Sequence, residues 1–121
     1  MLNSPVCKVS DADQVDQPWG NLRWLASSKL GNSTTMTFGR VTLQPGHGSP
    51  KHRHPNCDEI LHVLSGKVEH SLEDRSYVLE AGDTISLPAG QWHNATVLGD
   101  VPVELVICFS SADRQTEFAE K

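Results

Sequence analysis

An all-β fold, either a β-sandwich or a jelly-roll barrel, is what this sequence predicts. Short runs rich in β-branched and large apolar residues recur along the chain, each bounded by Gly, Pro, Asn, Asp or Ser. Helical periodicity is nearly absent, and no repeat, low-complexity tract or linker breaks the pattern. At 121 residues the chain has room for one domain and not for two.

The first twenty residues are polar, and residues 1–34 are expected to form an N-terminal arm with edge strands, Leu22–Leu25 among them. The barrel core is expected over residues 35–109, with strands at Thr35–Leu43, Glu59–Leu64, Val68–Leu72, Tyr77–Leu79, Thr84–Leu87, His93–Val97 and Val103–Phe109. Glu73-Asp74-Arg75-Ser76 has the composition of a hairpin tip, and Ala81-Gly82-Asp83 and Pro88-Ala89-Gly90 that of tight turns. Residues 110–121 form a tail. A short helical turn is expected there around Ala112–Ala119, capped by Ser110, Ser111 or Asp113.

Composition excludes some functions. The net charge is −5, and the basic residues gather into nothing longer than Lys51–Arg53, so no nucleic-acid partner is expected. No apolar run approaches the roughly 18 residues of a membrane span, so no membrane association is expected. Met1-Leu2-Asn3-Ser4-Pro5 lacks the charged head and apolar stretch of a signal peptide, which makes the cytoplasm the expected compartment. Cys7, Cys57 and Cys108 are odd in number and widely spaced, unlike a disulfide framework or a Cys-x-x-Cys clip. Ile60, Trp92, Val106 and Cys108 all point outward by strand alternation. That face is too apolar for a monomer, so a homodimer is expected.

The chemistry concentrates in His52, His54, Glu59 and His93. Two residues apart on a strand, His52 and His54 turn their imidazoles to the same face. Glu59 follows the loop-like Pro55-Asn56-Cys57-Asp58, and His93 begins a later strand just after the Pro88–Gly90 turn. A barrel brings such distant strands together on its inner wall. Three imidazoles and a carboxylate suit one divalent transition metal, Mn, Fe, Co, Ni, Cu or Zn, with open positions left for a ligand. Spacing alone leaves a surface His-x-His as an equal alternative.

The same residues resemble the two motifs of the cupin superfamily. The first, G-x5-H-x-H-x4-E-x6-G, is matched at every interval by Gly46, His52, His54, Glu59 and Gly66. The second, G-x5-P-x-G-x2-H-x3-N, is matched by Gly82, Pro88, Gly90 and His93, with Val97 where the pattern has Asn. The resemblance spans about Thr35 to Phe109. It implies a double-stranded β-helix with the metal held by His52, His54, Glu59 and His93, and a small-molecule substrate. The family includes dioxygenases, decarboxylases, sugar isomerases, lyases and plain ligand-binding modules, and a shared fold does not choose among them. The expectation is an isomerase- or lyase-type enzyme acting on a keto, hydroxy or sugar acid, with Glu59 as the catalytic proton carrier. A ferrous or cupric dioxygenase and a non-catalytic binding module are the alternatives.

The other candidates are read as structural. His62 lies three residues after Glu59, so alternation turns it outward; His70, beside Lys67 and Glu69, is assigned to the same solvated class. His47 belongs to a rim loop, Cys57 to ordinary packing inside the ligand loop, and Tyr77 follows a hairpin tip. Trp19, Trp24 and Trp92 supply apolar area. Leu61, Val63, Ala95 and Val41 or Leu43 share the inward parity and are expected to line the pocket.

Overall fold

The structure, a computed structural model, describes Leu2 and residues Ser4–Ala119. A 3-10 turn at Val9–Asp11 precedes eleven strands: β1 (Asp13–Gln17), β2 (Gly20–Ala26), β3 (Thr37–Leu43), β4 (His52–Arg53), β5 (Glu59–Ser65), β6 (Lys67–Leu72), β7 (Arg75–Glu80), β8 (Thr84–Leu87), β9 (His93–Leu98), β10 (Val103–Phe109) and β11 (Glu117–Phe118). They form two antiparallel sheets, a six-stranded one in the order β1-β2-β3-β10-β5-β8 and a five-stranded one in the order β11-β4-β9-β6-β7. Sequence neighbours β4 and β5 lie in different sheets, and β10 inserts between β3 and β5. These crossovers make the fold a jelly roll.

Alternation builds the core. Along β10, Val103, Leu105, Ile107 and Phe109 are buried while Glu104, Val106 and Cys108 turn the other way. Val41, Leu43, Leu61 and Val63 of the larger sheet and Val68, Leu79, Ala95 and Val97 of the smaller one belong to a single cluster of buried apolar side chains. The core therefore lies between the sheets.

Two glycines are required by geometry. Gly66 joins β5 to β6 at φ 87°, and a Cβ there would sit 2.8 Å from the Pro102 carbonyl oxygen. Gly90 has φ 80° and donates its N–H to the His54 carbonyl, tying the turn before His93 to the loop after β4.

The tail is a correction. Residues around Ala112–Ala119 form no helical turn; they run extended, and β11 pairs with β4 through Glu117↔Arg53 and Phe118↔His52. A helix would have no apolar face to bury here. Instead the Asn56 side chain accepts from the Gln115 N–H and donates to the Asp113 carbonyl, while the Ala119 N–H reaches the Lys51 carbonyl. The polar segment Asp13–Gln17 forms a paired edge strand, in register with all of Gly20–Trp24.

Candidate metal centre and its cavity

Every member of the His/Glu group sits at or just beyond the end of a strand at one end of the jelly roll. His52 opens β4 and lies directly across from His93, which opens β9. His54 follows β4, and Glu59 is the first residue of β5. The loop between them is pinned by Asp58. Its carboxylate accepts from the Ala89 N–H, its N–H donates to Ser110 Oγ, and its carbonyl accepts from the Ser110 N–H.

The four side chains come together as the sequence predicts. One ligand atom from each lies within 4.8 Å of the others, with His54, Glu59 and His93 buried. Each imidazole is turned by its Nδ1–H. His52 donates to the Pro50 carbonyl at 2.7 Å, His54 to the Gln115 carbonyl at 2.9 Å and His93 to the Gln91 carbonyl at 3.1 Å. With the proton held on Nδ1, each Nε2 presents a lone pair, the form in which imidazole binds a metal.

Two atoms at the centre lack any hydrogen-bond partner, Glu59 Oε1 and His93 Nε2, although both are buried. Glu59 Oε1 lies 3.2 Å from His93 Nε2 and 3.3 Å from His54 Nε2. A carboxylate oxygen facing imidazole lone pairs is a repulsive arrangement unless a cation or protons sit among them. The donor set fits a divalent transition metal.

Burial alone would raise the Glu59 pKa, but when protons on His54 and His93 take the place of a cation between them, their hydrogen bonds and positive charge outweigh it and hold the carboxyl down to about 2. Burial pushes His52 down to about 4 against the opposing Pro50 carbonyl, with His93 and His54 adding to the fall. At neutral pH both residues are in their metal-binding form.

The centre opens into a cavity of about 390 Å³. Leu61, Ala95, Val41 and Leu43 line it as their parity predicts; Val63 is fully buried in the core and lies outside the lining. Trp19 and Trp24 form part of the wall, so the N-terminal strands enclose the site. His47 and Tyr77 are exposed and away from the cavity, His62 faces out to Thr84 Oγ1 at 2.7 Å, and Trp92 is covered by the Arg53 guanidinium. Cys57 is buried in the core cluster, which pushes its thiol pKa up.

His70 corrects the sequence expectation. It is 1 % exposed, lines the cavity, and stacks 5.7 Å from the His93 ring. Its Nδ1–H donates to the Ser71 carbonyl, and burial lowers its pKa to about 4. The signal was present in the sequence, because His70 has the parity of Val68 and Leu72 and not that of Lys67 and Glu69. Arg114 and Thr116 also line the cavity. No periodicity marks them, because they lie in the extended tail.

The family model described as "Cupin domain" matches residues 39–109. A germin-like protein 3-8 from Oryza sativa subsp. japonica is 34 % identical over 85 residues, 66 % of this chain and 38 % of its own length. The quercetin 2,3-dioxygenase of Bacillus subtilis is 39 % identical over 66 residues, 53 % of this chain and 20 % of its own. Among solved structures, oxalate decarboxylase from Bacillus subtilis superposes with a TM-score of 0.83 at 22 % identity, covering 91 % of this chain and 30 % of that one. The chain thus spans well under half the length of these relatives.

Proposed function

Since the chain belongs to the cupin family, we propose that it is a metal-dependent enzyme acting on a small oxygenated acid, with His52, His54, Glu59 and His93 holding one divalent transition ion. The observation that carries this is the pair of buried, partnerless ligand atoms, Glu59 Oε1 and His93 Nε2, on a cavity lined mainly by apolar side chains. Such an ion would supply Lewis-acid polarisation of a substrate oxygen. The reaction class that suits this is isomerase- or lyase-type chemistry on a keto, hydroxy or sugar acid.

The chain's own residues divide the remaining work. The three main-chain carbonyls fix the imidazoles before any ligand arrives. Leu61, Leu105, Ile107 and Phe109 form an apolar wall that excludes water around the substrate. Glu59 is the only carboxylate among the described lining residues and stays ionised, so it is the group available to receive a proton. Held near a pKa of about 2, it is a weak base and can take only a proton already acidified in the substrate.

A second possibility is a dioxygenase, favoured by the similarity to the quercetin 2,3-dioxygenase of Bacillus subtilis. Elemental analysis of protein purified without chelators, followed by an acid-substrate screen with and without oxygen, separates the two. Turnover under nitrogen supports the isomerase or lyase. Turnover that consumes oxygen supports the dioxygenase, and protein that takes up none of Mn, Fe, Ni, Cu or Zn at these residues overturns both. The free state of Cys7, Cys57 and Cys108 supports a cytoplasmic site of action. A homodimer is supported by the outer face of the larger sheet, where Ile60 is 52 % and Leu64 42 % exposed.

A further inference from the structure

Arg114 is a cation without a matching anion. Its guanidinium carbon lies 4.1 Å from the centroid of the Trp24 ring and 5.4 Å from that of Phe109. Among the described residues no carboxylate pairs with it, and its sole hydrogen bond runs from an NH1 group to Thr116 Oγ1 at 2.6 Å. A guanidinium carries five N–H donors, and half-burying it without an ion-pair partner is costly. Aromatic stacking offsets part of that cost. The remaining donors have no protein acceptor, in a cavity whose lining holds no other Lys or Arg among the described residues.

The position is as telling as the charge. Thr116 Oγ1 also lies 3.3 Å from His54 Nδ1, and the Phe109 ring packs 4.8 Å from the His54 ring. Arg114 is therefore one hydroxyl and one ring removed from a residue of the metal centre, on the same cavity. A purely structural arginine would either snorkel to solvent or pair with an acid. This one forms an ion pair with no acid among the described residues, and its half-buried side chain lines the cavity, with the Glu59 carboxylate acting on its charge from a distance.

We propose that Arg114 is the residue that selects the substrate's carboxylate, so that a small organic acid is held by this guanidinium at one end while a neighbouring oxygen faces His52, His54, Glu59 and His93 at the other. The planar fork matches a carboxylate with two parallel N–H donors, which a neutral amide or alcohol does not reproduce. The second grip rests on the metal assignment proposed above; the first does not. A cavity of about 390 Å³ suits acids of a few carbons up to a single sugar acid.

The test uses zinc-loaded protein whose metal content is measured first. Glycolate, lactate, pyruvate and galacturonate are titrated by calorimetry beside the neutral amides glycolamide and lactamide. Wild type is expected to prefer acid over matching amide by about 10- to 100-fold, the scale of hydrogen bonds to a charged group. Arg114→Gln should bring that ratio close to one with zinc content and melting temperature unchanged, and Arg114→Lys should restore part of it. The proposal is overturned if no acid of the panel binds wild type, or if Arg114→Gln keeps the preference. Should Arg114→Gln fail to fold, the wild-type ratio and the Arg114→Lys variant still decide. Zinc below one ion per wild-type chain refutes the metal assignment instead, and the acid-to-amide ratio of that same protein then decides on Arg114.

Discussion

His70 makes the metal-free protein sensitive to mild acid by an amount that can be worked out. Its ring is 1 % exposed and its pKa falls from the ordinary 6.5 to about 4, first through burial and then through His93. Between those values the unfolded chain binds a proton that the folded chain refuses, so stability drops as pH falls from about 6.5 towards about 4 and drops no further below. At about pH 4.5 the displaced equilibrium amounts to roughly 2–3 kcal/mol for this one residue. The perturbation is His70→Leu, which removes the titrating group and keeps the site apolar. Denaturant melts with a chelator present, at about pH 7 and about pH 4.5, give the stability change for each protein. Wild type should lose roughly 2–3 kcal/mol more than the variant over this interval. Equal losses in the two proteins would refute the burial argument, showing that the folded state admits the proton.

Four further outcomes are expected. His52→Ala or His93→Ala should abolish metal uptake by elemental analysis while the β-sheet circular dichroism persists, because the core of Val41, Leu43, Leu105 and Phe109 does not involve the ion. Glu59→Gln should weaken uptake, since it keeps the shape of the ligand and removes its charge. Removing residues 115–121 takes away the Gln115 carbonyl on His54 and the β11–β4 pairing, and should lower metal affinity about 10- to 100-fold in a competition titration. Sedimentation at micromolar concentration should show a homodimer, and Ile60→Asp on the exposed sheet face should convert it to single chains.

The barrel strands were legible because each buried face writes itself as alternation. Val103–Phe109 and Thr84–Leu87 stand in the structure with the bounds the sequence predicts. The bounds of the edge strand Asp13–Gln17 were not legible, since both its faces are polar or half-covered and its pairing with β2 comes from the backbone. The two-residue strands β4 and β11 are too short to carry a period at all. At the site, the resemblance to the two cupin motifs named the residues that meet, where spacing alone left a surface His-x-His as an equal alternative. The acceptors that orient them, the carbonyls of Pro50, Gln91 and Gln115, belong to the main chain and carry no side-chain signature. Arg114 was hidden for a related reason: its partners Trp24, Phe109 and Thr116 come from three separate segments.

Those three carbonyls separate two properties that are often entangled. Because an imidazole's orientation here is set by backbone oxygens, positions 50, 91 and 115 can change side chain without retuning the metal centre. The cavity wall, by contrast, is built from side chains, with β1, β2, β3 and the tail contributing beside β5 and β10. A lineage could therefore exchange Val15, Leu22, Trp24 or Arg114 and alter what is recognised, while inheriting an unaltered apparatus for gripping the ion. The two halves of the site are free to drift at different rates.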